Sequence, residues 1–314
     1  MRIALVTPAG SGTRTGNRHT ALRWAAMLRR AGHHVDVATE WVPDGDADLM
    51  LALHARRSHD SIKAFADTCP GRCLAVALTG TDLYRDIRIS ARARESLALA
   101  HRLIVLQPRA LEELSARARR KARIVYQSCA TRLRHDPVKR GFRICVIGHL
   151  REEKDPLRAL AALAHIPRTA AVEVIQLGAA LDARLALQAR AATASEPRYR
   201  WLGSVPHARA LRWLASSHAM VISSRMEGGA NVVSEALRIG VPVLASRIPG
   251  NLGLLGPSHA GYFPVGDTRS LAALMLRAAS DTDFYRRLKS GGARLRPMLA
   301  PSSEARLLLA ALGI

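Results

Sequence analysis

Short apolar runs alternate with longer amphipathic segments along the whole chain. The first run, Ile3 to Thr7, is rich in β-forming residues and is followed by a Gly/Ser/Thr loop and an amphipathic segment, Thr20 to Ala31, that ends at Gly32. An apolar run of this length predicts a buried strand, and an amphipathic segment closed by glycine predicts a helix. Regular alternation of the two predicts an α/β architecture with parallel sheets.

The same pattern gives the remaining elements. Strands are predicted at Val35 to Ala38, Leu49 to Leu53, Leu74 to Leu78, Leu103 to Leu106, Ile124 to Tyr126, Phe142 to Ile147, Val172 to Leu177, Tyr199 to Leu202, Met220 to Ser223 and Val243 to Ala245. Helices are predicted at Ser58 to Ala66, Arg109 to Arg120, Pro156 to Ala164, Leu181 to Ala194, Ala208 to Ala215 and Val232 to Ile239.

The polar stretch Thr131 to Arg140 lacks apolar periodicity and separates two rounds of alternation. The chain of 314 residues is also about twice a usual domain length of roughly 150. We therefore predict two Rossmann-like domains, residues 1–134 and 135–314. The last segment, Pro301 to Ile314, is predicted either to cross back to the first domain or to form a simple terminal helix.

Ligands of doubly wound sheets bind at the carboxyl ends of the strands. The loops after Thr7, Leu53, Leu78, Ile147 and Ser223 follow such ends. We expect these loops to line one cleft between the two domains.

Composition narrows the class of protein. The chain is 48% hydrophobic, its mean hydropathy is +0.01, and it contains no apolar run of the roughly 18 residues that a membrane span needs. The first residues are too short a run for a signal peptide, so a cytoplasmic globular protein is expected. Its cysteines suggest neither a zinc site nor a disulfide framework; they are Cys69, Cys73, Cys129 and Cys145. No metal and no cofactor is expected.

The chain is strongly basic, with 47 Lys and Arg against 25 Asp and Glu and a net charge of +22. Such an excess attracts nucleic acid, an anionic membrane surface or phosphorylated small molecules. The excess divides evenly between the two halves, and only 4% of residues are aromatic. Neither feature favours a nucleic-acid stripe with stacking platforms.

The most informative segment is Ser223 to Glu235, a glycine-containing loop that runs from a predicted strand into a predicted helix. Backbone N–H groups at such a helix start bind anions. Glu227 and Glu235 add two carboxylates of the kind that bind sugar hydroxyls. Alternatively, Glu235 is an exposed helix residue and Gly228-Gly229 an ordinary turn.

Glu227 to Glu235 resembles the E-x7-E element of the sucrose-synthase-like GT-B glycosyltransferases, and Gly240-Val241-Pro242-Val243 follows it as in that family. Six motifs in order narrow the resemblance to the selenosugar synthases of selenoneine biosynthesis. They are Gly16-Asn17-Arg18, Leu53 to Ser58, Leu78 to Tyr84, Gly148 to Pro156, Ser224 to Asn231 and Gly261 to Asp267. The resemblance implies a GT-B fold and transfer of a sugar, typically N-acetylglucosamine, from UDP to the selenium of selenophosphate.

The resemblance also implies the donor site. Lys154 matches a lysine that binds the diphosphate, whereas His149 stands where the family has an arginine, so Arg151 is a candidate to compensate. Glu235 is expected to accept hydrogen bonds from the ribose, and Glu227 to lie near the donor sugar. The predicted donor-binding set is Gly16, Asn17, His149, Arg151, Lys154, Gly228, Gly229, Ala230, Asn231, Val232 and Glu235. Alternatives are a simple loop residue at His149 and a helix cap at Asn17.

A small, multiply charged acceptor calls for arginines, because guanidinium groups bind phosphate-like oxygens bidentately. The predicted acceptor-binding set is Arg14, Arg18, Arg56, Arg57, Thr79, Gly80, Thr81 and Asp82, with Asp82 orienting an arginine. His54, predicted to be catalytic with Glu227 and Lys154, is an acid or a donor to the sugar. Alternatively, each arginine is a solvated surface charge and His54 a satisfied core histidine.

Two other functions stay open. The acceptor could be a membrane lipid or polysaccharide, with Arg117 to Arg123 as a basic surface, or the protein could be a non-catalytic anion or nucleic-acid binder. The favoured partners are a UDP-sugar and selenophosphate, without nucleic acid or stable membrane association. The sequence leaves the oligomeric state and the anomeric stereochemistry open.

Overall fold

The computed structural model describes residues 1–10, 12, 15–43 and 47–314. The chain forms two compact units. The first comprises Met1–Ser128, Glu227–Asn231 and Ala300–Ile314, and the second comprises Cys129–Met226 and Val232–Leu299. The chain therefore leaves the first unit shortly before the predicted boundary at residue 134 and returns to it twice.

The first unit contains a six-stranded sheet in which all pairings are parallel, in the order β2-β1-β3-β4-β5-β6. Its strands are β1 Arg2–Val6, β2 His34–Ala38, β3 Leu49–Leu53, β4 Cys73–Leu78, β5 Arg102–Val105 and β6 Ala122–Ile124. Its first helices are α1 Gly16–Arg30, α2 His59–Thr68, α3 Ile87–Ile89, α4 Ala91–Leu99 and α5 Ala116–Arg120. All five residues of β3 are buried, because helices cover both faces of a parallel sheet.

The second unit repeats this plan with a parallel sheet in the order β12-β11-β10-β7-β8-β9. Its strands are β7 Phe142–Ile147, β8 Val172–Leu177, β9 Tyr199–Trp201, β10 Ala219–Ile222, β11 Val243–Ser246 and β12 Tyr262–Phe263. Its helices are α6 Arg158–Leu163, α7 Ala183–Ser195, α8 His207–Ala215, α9 Asn231–Ile239, α10 Pro249–Leu255, α11 Thr268–Ser280 and α12 Thr282–Ala293. In each sheet the carboxyl ends of all strands lie at one edge, so the loops that follow them are neighbours.

Several predicted elements differ from the structure. Helix α1 begins at Gly16, four residues before the predicted start at Thr20. The helix predicted at Arg109 to Arg120 is divided into a 3-10 turn, Pro108–Glu113, and α5. The division falls at Ser115, whose hydroxyl accepts a hydrogen bond from the amide of Ala118 and so starts a new helix. The strand predicted at Ile124 to Tyr126 lies at β6, two residues earlier.

The last helix, α13 Pro301–Leu312, packs in the first unit against α1, β5 and β6. Its fully buried Glu304 accepts hydrogen bonds from Arg23 Nε (2.9 Å), Trp24 Nε1 (2.7 Å) and the amide of Ser128 (2.8 Å). One carboxylate thus joins the end of the chain to α1 and to the segment at which the chain leaves the first unit.

No helix among the described residues is both long and apolar enough to span a membrane. The four cysteines, all among the described residues, are thiols and not disulfides; Cys69, Cys129 and Cys145 are buried and Cys73 is partly exposed. Burial raises the pKa of the Cys145 thiol to about 12, so this thiol is neutral at physiological pH.

We expect Glu304→Ala to lower the free energy of unfolding by about 3–5 kcal/mol, because it leaves buried donors without an acceptor. Urea unfolding followed by circular dichroism measures the loss. Glu112→Ala is the matched control, since that carboxylate is 60% exposed and paired with Arg109 on the surface. Equal stability of the two variants would show that the Glu304 cluster does not hold the last helix.

Candidate active site

The loop after β3 places His54 at the carboxyl end of the first sheet in a left-handed conformation, with φ of 75°. This conformation costs a non-glycine residue about 1–3 kcal/mol and persists where surrounding contacts impose it. The ring is 2% exposed. Its Nδ1 accepts a hydrogen bond from the amide of Arg57 (3.3 Å), and its Nε2 lies 3.0 Å from Thr81 Oγ1. This arrangement assigns the proton of the neutral ring to Nε2, which donates toward Thr81.

Asp82 fixes the loops after β3 and β4 to one another. Its buried carboxylate accepts hydrogen bonds from the amides of Thr79 (2.9 Å), Gly80 (2.8 Å) and Ala55 (3.1 Å). Asp82 was predicted to orient an arginine, but its oxygens are taken by backbone amides. For the same reason the amides of Thr79 and Gly80 are occupied. The hydroxyls of this loop have partners as well, since Thr79 Oγ1 lies 3.5 Å from Asp82 Oδ1 and Thr81 Oγ1 lies 3.0 Å from His54 Nε2.

The carboxylate that orients arginines is Asp86, four residues further along. Its Oδ2 accepts from Arg56 Nε (2.7 Å) and its Oδ1 from Arg85 Nε (3.1 Å). Burial raises the pKa of Asp86, but the two arginine hydrogen bonds outweigh it and hold that pKa below its ordinary value of 3.8. Neither Arg85 nor Asp86 was predicted as a site residue. The only sequence signal was that both directly follow the motif Leu78 to Tyr84, which contains Asp82.

The other predicted residues of the first unit lie at the start of α1. The hydroxyl of Thr15 caps this helix by accepting from the amide of Arg18, so the cap is Thr15 and not Asn17. Asn17 is partly buried, and the Nε of Arg18 is buried without a hydrogen-bond partner. Arg14 lies outside the described residues.

The glycine loop Glu227–Asn231 belongs to the first unit and packs closely on its backbone. A Cβ on Gly228 would overlap the carbonyl of Thr79, and one on Gly229 would overlap Leu106. Gly228 needs to be glycine because it meets the main chain of Thr79 and Gly80, and Gly229 because it lies against the side chain of Leu106. Within the same segment, Glu227 and Ala230 are buried, and the Oδ1 of Asn231 is buried without a partner.

In the second unit, the loop after β7 carries His149, Arg151 and Lys154. His149 Nδ1 accepts from the amide of Ala179 (3.0 Å), so this nitrogen carries no proton and the ring does not replace the fixed charge of an arginine. Arg151, with a buried Nε that has no partner, is therefore the nearer candidate to replace the family's arginine. The hydroxyl of Ser223 donates to the carbonyls of Lys154 (3.3 Å) and Asp155 (2.7 Å) and fastens this loop to the end of β10.

Glu235 lies in the first half of α9, next to Val232 on the same helix, with 14% of its side chain exposed. Its Oε1 lies 2.8 Å from Nε2 of His207, the first residue of α8. The alternative of an exposed helix residue therefore does not hold, because this carboxylate is largely buried and held by a partner. His207 was missed by sequence reasoning, since 28 residues separate it from Glu235.

One cavity lies apart from these residues. A cavity of about 510 Å³ opens at the amino ends of β7 and β8, beside Phe142, Val172 and Tyr285, at the opposite edge of the second sheet. Among the described residues, no group of three or more His, Cys, Asp or Glu side chains is arranged to hold a metal ion.

The sequence profile of the family described as Glycosyl transferases group 1 matches residues 132–294, more than half of the chain. The chain belongs to this family. The comparison with curated protein sequences gives no significant match.

Solved structures agree over nearly the full length. HepE from Anabaena in complex with UDP matches with a TM-score of 0.80 at 18% identity, covering 100% of both chains. The same protein with UDP-glucose matches at 0.79 and 17%, covering 100% of this chain and 99% of that one. Sucrose-phosphate synthase from Thermosynechococcus elongatus matches at 0.77 and 17%, covering 97% and 96%. The chain has the GT-B glycosyltransferase fold, which confirms the predicted fold class.

Burial lowers the pKa of five histidines below the ordinary value of 6.5; they are His54, His59, His135, His218 and His259. The unfolded chain then binds more protons than the native one below about pH 6.5, so the free energy of unfolding falls as pH falls. We expect a measurable loss between about pH 7 and pH 5.5 in urea titrations, and a shallower slope for His54→Gln. Constant stability over this range would contradict the buried, neutral state of these rings.

Proposed function

We propose that the protein transfers a sugar, N-acetylglucosamine in the favoured case, from its UDP nucleotide to the selenium of selenophosphate. Family membership supports glycosyl transfer. The Anabaena relatives in complex with UDP and UDP-glucose support a uridine donor. The observation that carries the proposal is that each unit supplies one kind of group: the second unit a held carboxylate, Glu235, on α9, and the first unit arginines beside a buried neutral histidine on the loop after β3.

The donor half of the proposal concerns the diphosphate. Departure of UDP places negative charge on the oxygen that leaves C1 of the sugar, and preorganised cations and N–H donors stabilise such charge best. Lys154, Arg151 and the amides of the glycine loop take this role in the proposal, without a metal ion. Glu235 accepts hydrogen bonds from the ribose hydroxyls, and Glu227 lies toward the sugar ring.

The acceptor half concerns orientation more than activation. Selenium in selenophosphate is already a strong nucleophile, so holding it in line with C1 matters more than a general base. A C1–Se bond forms while the C1–O bond to the diphosphate breaks, and its electron pair leaves with UDP. Arg56 and Arg57 of the loop after β3 hold the phosphate oxygens, and neutral His54, whose Nε2–H is used by Thr81, orients that hydroxyl toward the acceptor.

Mass spectrometry of the protein incubated with UDP-N-acetylglucosamine and freshly made selenophosphate tests the proposal. The expected product has a selenium isotope pattern on a hexosamine mass and appears together with UDP, with and without a chelator. Inorganic phosphate and water are the control acceptors. UDP release without a selenium product would move the acceptor to another class, and failure of any turnover would favour a binding protein.

Glu235→Ala is expected to weaken UDP binding by about 1–3 kcal/mol, because the ribose loses a charged hydrogen-bond partner. Isothermal titration calorimetry with UDP measures the change. Asp283→Ala removes the same charge from an exposed position on α12 and serves as the control. Unchanged UDP affinity of the Glu235 variant would remove this residue from the donor site.

His207 offers a second variant at the same place. His207→Ala frees the Glu235 carboxylate to rotate, so several-fold weaker UDP binding is expected, and His207→Gln, which keeps a side-chain donor, is expected to bind more nearly as the wild type does. Equal affinities of the three proteins would show that the 2.8 Å contact does not position Glu235.

A further inference from the structure

Two guanidinium groups share one buried carboxylate at the carboxyl end of the first sheet. Arg56 donates through Nε to Oδ2 of Asp86 (2.7 Å), and Arg85 donates through Nε to Oδ1 (3.1 Å). Asp86 is 2% exposed, whereas both arginine side chains are 42% exposed. The carboxylate is thus sealed from solvent while the two cations are not.

Each of these arginines uses only its Nε. Within the part of the chain that the structure describes, the terminal nitrogens of Arg56 and Arg85 make no hydrogen bond. The two terminal nitrogens of each arginine, four in all, can therefore donate hydrogen bonds to a ligand beside Asp86. Two positive charges against one negative leave a net charge of +1, and Arg57, exposed beside Arg56, adds another.

Stability alone does not account for this arrangement. A half-exposed ion pair contributes little to stability, whereas burying a carboxylate is unfavourable until its partners compensate for the lost water. A carboxylate that served only the fold would be better placed in solvent. What the burial of Asp86 does achieve is a fixed direction for two otherwise flexible side chains.

We propose that Arg56 and Arg85, held side by side by Asp86, form a clamp for the tetrahedral, doubly charged oxyanion group of the acceptor. This inference rests on the proposed function and deepens it by assigning Arg85 as an acceptor-binding residue and Asp86 as a positioning residue. Two planar forks match pairs of oxygens on a phosphate-like group. A neutral hydroxyl acceptor has no charge to balance them.

Acceptor kinetics test the role of Arg85. Arg85→Ala is expected to raise the KM for selenophosphate by about tenfold or more, because a charged, bidentate contact is lost, with kcat and UDP affinity unchanged. Arg85→Lys keeps the charge but loses the planar pair of donors, so its KM is expected to lie between those of the wild type and Arg85→Ala. Arg88→Ala is the matched control: it removes the same charge three residues away, from an arginine that pairs with Glu113. Equal KM values for Arg85→Ala and Arg88→Ala would overturn the clamp.

Asp86→Asn tests positioning, since it keeps the size of the side chain and removes the charge that both Nε atoms approach. A rise in acceptor KM with kcat and UDP affinity kept is expected. A merely structural residue would instead lower kcat, UDP affinity and the melting temperature together. If this variant does not fold, the two Arg85 variants decide the matter, because an exposed arginine can be replaced without unfolding the loop.

Calorimetry with inorganic phosphate, in the presence of UDP, separates the clamp from the proposed function. Wild type and Arg88→Ala are expected to bind phosphate, and Arg85→Ala to bind it at least about tenfold more weakly. Phosphate binding that depends on Arg85, in a protein that forms no selenium product, would keep the clamp and overturn the selenophosphate reaction. Selenium transfer with phosphate affinity independent of Arg85 would keep the reaction and overturn the clamp.

Discussion

The carboxylate of Asp82 determines how the first-unit site is built, because it accepts backbone amides from two different loops. Ala55 belongs to the loop after β3, and Thr79 and Gly80 to the loop after β4. Hydrogen bonds of this kind, from several amides to one ionised buried oxygen pair, are among the strongest that a fold makes. With the two loops joined, His54 Nε2 lies 3.0 Å from Thr81 Oγ1. The short π-helix Asp82–Asp86 begins at the same carboxylate, so its position is fixed as well. Arg56, next to Ala55, can then reach Asp86 at the end of this π-helix.

Close backbone packing imposes a second constraint on the glycine loop. Gly228 lies against the Thr79–Gly80 peptide, so there is no room for a side chain at this position. A glycine pair near a helix start is usually interpreted as an anion site alone. Here the same residues also let a loop that leaves β10 rest on the loop after β4, so the segment serves packing and ligand chemistry together. Replacement by alanine would disturb both, which makes variants at Glu235 and Arg85 the cleaner probes.

The strands could be predicted because a strand buried on both faces is a continuous apolar run, as Leu49–Leu53 is. The motif loops could be placed at strand ends for the same reason. What the sequence could not show were partners distant along the chain: His207 for Glu235, Glu304 for Trp24, and Asp86 for Arg56. Each pair is joined by tertiary folding, and nothing in local periodicity marks it. The sequence correctly indicated a carboxylate that orients an arginine, but the predicted residue, Asp82, binds backbone amides instead, and Asp86 binds the arginine.

The most direct test of this account is a crystal structure of the protein with UDP and inorganic phosphate bound together. We expect the ribose hydroxyls to lie within hydrogen-bond distance of the Glu235 carboxylate, and phosphate oxygens to lie within hydrogen-bond distance of the terminal nitrogens of Arg56 and Arg85. Asp86 would keep its two Nε contacts unchanged. A nucleotide bound away from α9, or phosphate bound without either arginine, would contradict the assignment of donor and acceptor to these residues.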